Sequence, residues 1–577
     1  MSYETTNNIW PRVGVAALAT SFSLLASAQQ RPDAGSIIEQ QQQRERLPIP
    51  APEPQVLPRA EPVRPAMPAS PELHVTVTAF RVSGNTAISE AELLAAVQGS
   101  VGKDLDFDGL NEAATRVQRL YRERGYFLAV AYLPQQQIQN GVVDIAVLEG
   151  RLGKVALEMP PQARLRESLP RGIIDTYLKQ GALITETGLE RPLLLINDLA
   201  GVGVTSALGP SEGTVGAADL KVKLTEDAHR VNGYVDFDNG GNRYTGEYRL
   251  GANLNVNNLG GYGDLFSVRA FVSNEHQDFG RFAYVVPVGY YGTRVGFAYT
   301  MFDYKLAKDF APLEAHGKGE VSTVYALHPF LRTRNANFVV QAAFETKYLK
   351  DYIDTTASFE DRKIYSGKLG AIGDFRDGLL GGGLNSYSLT YTDGKLHLGP
   401  AGVLTADQNA TTGLKTDGGF SKTNADYRRL QRISNDTNLL FSFSSQAASK
   451  NLASAEKFSL GGPNGVRAYP VGEATADSGY LVSAELRYIV PKFKVMKGDA
   501  TVSAFYDAGS VKTDEHPLAT NTANLRNLSG YGLGLSLGKE GDFLVKTSAA
   551  WRAEKEPPLS DGAKRIPRVW VQAIKWF

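Results

Sequence analysis

Val231-Asn232-Gly233-Tyr234-Val235-Asp236-Phe237-Asp238 alternates apolar or small residues with polar ones, and this period of two decides the fold. In a strand, successive side chains point to opposite faces, so such a segment has one greasy face and one wet face. The pattern returns at once, with Tyr248, Leu250, Ala252, Leu254 and Val256 set between Arg249, Gly251, Asn253, Asn255 and Asn257. It returns again in 480–488 and 531–538. A soluble sandwich shows the same alternation. Three features favour a transmembrane β-barrel: Tyr and Phe recur at strand ends, the polar face carries Asn, Arg, Asp and Glu, and some connections are long. The chain ends in Phe577, and an aromatic residue closing the last strand is common in outer-membrane barrels. Lys575 interrupts the apolar stripe running back from it, as a Lys near the interface can by snorkelling. Residues 229–577 number 349, so sixteen antiparallel strands leave about 22 residues per strand and connection; the same arithmetic admits fourteen or eighteen.

Upstream of the barrel the composition changes repeatedly. Arg12 precedes the apolar run Val13–Leu25, and Ala26-Ser27-Ala28 is a small-x-small site, so residues 1–28 read as a signal peptide. Thirteen residues of helix span only ~20 Å, short of a ~30 Å bilayer core, which argues against an anchor. No later stretch approaches 18 consecutive apolar residues, so any membrane crossing is made by strands. Residues 29–46 are rich in Gln, Glu and Arg and form a short polar helix. Residues 47–71 carry nine prolines and form an extended linker.

Residues 72–150 read as a small α+β module of order β-α-α-β-β. A strand covers His74–Arg81, Ser89-x-x-Glu92 is a capping box opening a helix, and a second helix runs from about Asp108 to Arg124, stopped by Gly125. Strands Phe127–Leu133 and Val142–Glu149 flank the turn signal Asn140-Gly141. Residues 151–228 repeat that order, with helical segments at Ile173–Lys179 and about Glu186–Leu199, and two tandem copies are a repeat-level signal.

Enzyme chemistry finds little footing. There is no cysteine, which excludes disulfides and thiol catalysis and suits passage through an oxidising compartment. The seven His are scattered without metal-binding spacing, and no Gly-rich phosphate loop opens a helix. Gly534-Leu535-Ser536-Leu537-Gly538 matches the serine-hydrolase pattern but lies inside an alternating strand rather than a strand–turn–helix elbow. The expectation is a non-enzyme with no cofactor and no metal. Lys plus Arg equals Asp plus Glu at 61 each, so no basic footprint of nucleic-acid binding exists.

Two barrel segments remain. The first is the long connection Gly461-Gly-Pro-Asn-Gly-Val-Arg-Ala-Tyr-Pro470; the second is Phe505-Tyr-Asp-Ala-Gly509. Alternation turns Val502, Ala504 and Tyr506 outward, and Phe505, Asp507 and Gly509 into the lumen. A lumenal Asp wants a cationic partner, and Arg467 is a candidate if its loop folds inward. On residue physics alone, two separately solvated charges are slightly favoured over the pair.

These parts resemble the two-partner secretion transporters (TpsB family), exporters of haemolysins and filamentous adhesins. The resemblance covers nearly all of the chain beyond the signal peptide. It rests on the layout and on Phe80-Arg-Val-Ser-Gly-Asn-Thr86, Leu120-Tyr-Arg-Glu-Arg-Gly-Tyr126 and Leu195-Ile-Asn-Asp-Leu-Ala-Gly201. Val466, Arg467, Ala468 and Tyr469 resemble the family's VRGY loop, and Phe505, Asp507 and Gly509 its FxDxG strand motif. The resemblance implies two POTRA modules, a barrel of about sixteen strands, a lumenal plug helix at about Gly35–Arg46, and an inward loop whose Arg467 bonds Asp507. It also implies a function: capture of an unfolded, large β-helical TpsA-like exoprotein in the periplasm and export through the barrel without ATP. The protein would sit in outer-membrane lipid of a Gram-negative bacterium, as a monomer. Ala468 departs from the motif's glycine, so the loop tip is expected to differ locally. Two other readings stand beside export: an assembly factor inserting other barrels, which usually carries a longer string of POTRA modules, and a passive porin, which has no use for modules or plug.

Overall fold

The computed structural model describes residues 31–44, 74–554, 557–561 and 565–577, except residues 228, 520 and 522. The expected signal peptide (1–28) and Pro-rich linker (47–71) lie outside the described residues. From Val231 onward the chain forms a closed antiparallel barrel of sixteen strands, which settles the choice between fourteen, sixteen and eighteen. Each strand pairs with the next, and Arg568–Trp576 closes the barrel by pairing back onto Val231–Asp238. Closure leaves no unpaired edge, the condition for strands in a bilayer. The alternation read from the sequence sorts side chains as expected. In the first strand Val235 and Phe237 are 44% and 41% exposed on the outer wall, whereas Asp236 and Asp238 are each 4% exposed inside. Lys575 reaches Asp542 in the turn at the barrel end nearest the two modules, so its charge leaves the apolar band.

The first module departs from the expected order. Its strand does not run unbroken through His74–Arg81. His74–Thr76 pairs with an additional strand, Asp104–Asp106, and Ala79–Ser83 joins the main sheet. The break falls at Val77 and Thr78. Val77 buries its side chain and bonds Lys103 and Gly102, while the Thr78 N–H turns to the Gly141 carbonyl. Ala79–Ser83 runs parallel to Val142–Leu148, which pairs antiparallel with Val130–Tyr132. The helices Glu90–Val97 and Phe107–Glu123 cover the sheet, the first capped by Ser89 Oγ accepting from the Glu92 N–H. The second module repeats this three-stranded arrangement, with Arg151–Glu158 parallel to Ala217–Glu226 and Val202–Pro210 antiparallel. Its first helix is Ser168–Tyr177, starting five residues before the expected Ile173, because Pro170 fits the first turn, where no N–H is needed. Its second helix, Glu186–Asn197, ends two residues before the expected Leu199.

The second module is docked on the barrel. Arg332 grips Asp198 with Nη2 at 2.6 Å and Nε at 2.9 Å, Arg334 reaches Glu190 at 2.7 Å, and Arg191 donates to the Pro329 and Phe330 carbonyls. All three fall on the hairpin that joins Ala315–Arg332 to Ala336–Ile353, so the modules mark that end of the barrel. The helix Ala34–Arg44 lies inside the barrel toward the opposite end. Ile37 and Ile38 are buried there among Tyr244, Phe302, Phe310 and Leu452.

Candidate functional site

The connection between strands Thr437–Ala448 and Ser478–Val495 is the 29-residue segment 449–477, and it folds back into the lumen. A short antiparallel pair, Phe458–Ser459 with Thr475–Ala476, gathers its two limbs. The tip then tightens: the Val466 N–H bonds the Leu460 carbonyl at 2.7 Å, and the Tyr469 N–H bonds that of Val466 at 3.0 Å. Val466 and Tyr469 are fully buried against Leu481, Phe505, Val511 and Leu528 of the barrel wall. The loop therefore has an apolar foot, and its burial drives the tip inward.

Arg467 projects from that tip into a set of groups matched to its fork. Nε donates to Asp507 Oδ2 and Nη2 to Oδ1, both at 2.8 Å, and the backbone N–H of Arg467 adds a bond to Oδ2 at 3.1 Å. Nη1 donates to Glu485 Oε2 at 2.6 Å, and the guanidinium lies 3.3 Å from the centroid of the Phe505 ring. Ser483 Oγ donates to Asp507 Oδ1 at 2.7 Å, and Trp570 Nε1 to the Arg467 carbonyl at 2.8 Å. Asp507 is fully buried. A bidentate, cation–π-stacked arginine holds one orientation, and removing either partner would strand a buried charge. The structure thus brings Arg467 together with Asp507, in place of two separately solvated charges. Gly509 has its own reason: a Cβ there would stand 2.6 Å from Leu460 of the loop.

Glu485 was visible in the sequence only as one polar residue on an alternating strand. Its role follows from register: Ser483 stands opposite Asp507 and Glu485 opposite Phe505 on the neighbouring strand. Ala468 stands where the family's motif has glycine. Its backbone lies outside the left-handed region, so a methyl group introduces no backbone strain, and it is buried at 3% exposure. The left-handed positions of the loop are Gly462, Gly472 and Ala474 instead. The Ala468 methyl fits because it faces Gly530, where a Cβ would stand 2.5 Å from it.

Beside the loop, toward the modules, lies a cavity of about 540 Å³, walled by Arg249, Arg428, Arg487, Ser503, Ser536 and Lys546 among others. Ser536 is one lumenal residue inside the strand Leu525–Lys539, with no elbow around it. On the opposite side of the loop the helix Ala34–Arg44 fills the lumen. The Ala34 N–H bonds Asp351 Oδ1 at 2.9 Å, and Arg362 bridges Asp33 at 2.6 Å and Asp351 at 3.1 Å. Among the described residues, no group of three His, Asp or Glu is placed to hold a metal ion.

The first module carries a buried carboxylate of its own. Glu149 accepts from the N–H groups of Thr86 and Ala87, from the Thr86 hydroxyl and, at 2.8 Å, from the Tyr121 hydroxyl. Burial pushes its pKa up, but these hydrogen bonds outweigh burial and hold it below the usual carboxylate range. The partner Tyr121 hydroxyl is pushed well up, by burial first and by Glu149 second.

Residues 216–537 match the family model described as haemolysin secretion/activation protein ShlB/FhaC/HecB, and residues 75–150 match the ShlB-type POTRA domain. The chain is 30% identical over 498 residues to the heme/hemopexin transporter protein HuxB of Haemophilus influenzae, covering 85% of each. It is 24% identical over 444 residues to the outer membrane transporter CdiB of Dickeya dadantii, covering 75% of this chain and 76% of that one. Among solved structures, CdiB from Escherichia coli aligns over 99% of this chain and 100% of that one, with a TM-score of 0.67 at 21% identity. BamA from Haemophilus ducreyi aligns over 87% of this chain and 100% of that one, with a TM-score of 0.50 at 12% identity, a likeness of fold alone.

Proposed function

From the premise that this chain belongs to the haemolysin secretion/activation family ShlB/FhaC/HecB, the outer-membrane transporters of two-partner secretion, we propose a route for its client. The protein is an outer-membrane transporter that exports a TpsA-type exoprotein, with its POTRA modules in the periplasm. The assembly-factor reading is not favoured, since the likeness to BamA is one of fold only.

The route begins at the modules. The three-stranded sheets end in the edges Ala79–Ser83 and Val130–Tyr132 in the first and Arg151–Glu158 and Val202–Pro210 in the second; residues 181–184 already bond Arg151 and Leu152, and the other edges suit capture of an unfolded client by strand addition. The client then enters the polar cavity beside the loop. The helix Ala34–Arg44 leaves the lumen, and the client threads outward. Folding outside prevents return, so no ATP and no catalytic step are required. Arg467, held by Asp507 and Glu485, keeps the loop in its conducting arrangement, with Val466, Ala468, Tyr469, Phe505 and Gly509 forming the packing around it. The barrel works as a monomer in outer-membrane lipid. Because a relative at 30% identity is a heme/hemopexin transporter, a large β-helical client of that kind is the first to test.

The observation that carries this reading is the filled lumen itself, a helix and a loop both packed inside a barrel that is preceded by two modules with three-stranded sheets. Arg467→Ala and Asp507→Ala, made in a strain secreting the client, are expected to reduce secretion sharply at normal barrel abundance. Unchanged secretion refutes the role of the loop. A charge-swapped double variant reads the pair itself.

A further inference from the structure

The plug helix meets the inward loop closely at the 3-10 turn Ser454–Glu456 and less closely at Gly472, where a Cβ would stand 3.3 Å from Gln40 Nε2. Gly35 lies flush on the turn: a Cβ there would stand 2.1 Å from Ser454 Oγ and 2.6 Å from the Ala455 backbone nitrogen. Asp33, just before the helix, accepts from Ser454 Oγ at 2.7 Å and from Arg362 at 2.6 Å. The turn ends in Glu456, whose side chain is 1% exposed. Its carboxylate pairs with Lys347 at 2.6 Å and Lys422 at 2.9 Å. These lysines stand on Ala336–Ile353 and Gly418–Arg432, strands separated by two others in the barrel, so one carboxylate ties together distant parts of the wall. Lys347 also donates to the Ala455 carbonyl at 3.1 Å, and Lys422 and Gln446 donate to that of Glu456 at 2.8 and 2.9 Å. The Glu456 carboxylate and the Ala455 and Glu456 carbonyls are thus tied to the wall, and Gly35 packs on the Ser454–Ala455 side of the turn.

Burying such a cluster is costly, and hydrophobic side chains of similar volume would fill the same space with no desolvation penalty. What charges add is a fixed geometry. Arg467 does not need them, since its own carboxylates, Asp507 and Glu485, stand on Gly498–Lys512 and Ser478–Val495. We propose that Glu456 is a positioning residue for the plug: tied to Lys347 and Lys422, it builds the seat on which Gly35 and Asp33 close the channel. The seat is separable from the Arg467 anchor, so the loop can remain held by Asp507 while the helix comes and goes. This rests on the reading of Ala34–Arg44 as a plug that leaves during export.

The test is ion conductance of the full chain in planar lipid bilayers, which needs no client. Glu456→Gln keeps the shape and removes the charge. Gly35→Val changes the helix alone, its Cβ meeting the turn first and the Arg362 guanidinium of the wall at 3.1 Å. Each is expected to raise the fraction of time spent open by about tenfold, the shift that a loss of one tenfold bias toward the closed state produces. In a protein lacking residues 31–44, Glu456→Gln is expected to add nothing, because the seat has no occupant. Unchanged conductance in Gly35→Val overturns the proposal, as does unchanged conductance in a Glu456→Gln protein whose heat-modifiable migration shows a folded barrel. An equal increase from Glu456→Gln with and without the helix overturns it too, since the residue would then act on the barrel rather than on the plug. Equal conductance of the parent and the deletion protein removes the plug reading and the seat with it. Failure of the loop's role in export registers separately, as unchanged secretion in the Arg467 and Asp507 variants.

Discussion

Replacing Gly530 by Ala is a one-carbon change whose consequence can be worked from two atoms. The added Cβ would stand 2.5 Å from the Ala468 Cβ and 3.0 Å from the Trp551 carbonyl oxygen. Non-bonded carbons rest at about 3.5–4.0 Å, so the methyl groups overlap by about 1.0–1.5 Å and one of them moves. Trp551 belongs to the barrel wall, whereas Ala468 sits on a loop tip, so the loop gives way. Overpacking of this kind costs about 1–3 kcal/mol, equivalent to a roughly 5- to 150-fold rise in the population with the tip unseated. Asp507 stands directly opposite Gly530 in register, so the displaced tip carries Arg467 off its carboxylate. Expected results are a loss of secretion in Gly530→Ala, near-normal secretion in Ala468→Gly, and recovery of most of the loss in the double variant. Recovery is incomplete because the contact with Trp551 remains. The assay is secreted client at matched levels of folded barrel, with thermal unfolding of the purified barrel giving the coupling energy. If Gly530→Ala costs the same with and without Ala468→Gly, the coupling is zero, and the argument that these two positions share one space is refuted.

Two further outcomes follow from the same geometry. Arg467→Lys is expected to secrete little better than Arg467→Ala, because an ammonium is a point charge and cannot serve Asp507 bidentately while also meeting Glu485; Glu485→Gln, which keeps the Asp507 fork, is expected to retain most secretion. In the first module, Glu149→Gln is expected to lower protection of residues 74–148 in hydrogen exchange at pH 7, by ~1–3 kcal/mol for the lost charge-assisted bonds. The pH dependence has a definite sign: the folded carboxylate is held below its unfolded value of ~4.3, so its contribution is full above that value and disappears as pH falls through the folded one. Wild type and Glu149→Gln should therefore converge in acid, and a gap that widens below pH ~4 contradicts the assignment.

Much of this protein is written in local patterns. The period of two reports which side chains face lipid and which face the lumen, because pleating is a property of every strand whatever its neighbours. It turns Asp507 inward and Tyr506 outward whatever their partners. The capping residues and Gly125 likewise place helix ends within a residue or two, because caps act over three or four positions. The pairing of Arg467 with Asp507 is not legible in residue chemistry alone, which slightly favours two solvated charges; the resemblance implies it.

The rest depends on closure. The choice of sixteen strands, the register that sets Glu485 and Ser483 around Arg467, the Gly530 hollow for the Ala468 methyl, and the meeting of Gly35 with Ser454 all join residues distant in sequence. Such contacts are fixed by how many strands close the barrel and by the stagger between them, quantities that no single segment carries. The extra strand Asp104–Asp106 has the same origin, since its partner His74–Thr76 lies far earlier in the chain and only the folded module brings them side by side. Local pattern sets what each strand offers to the lumen; closing the barrel sets which of those offers meet.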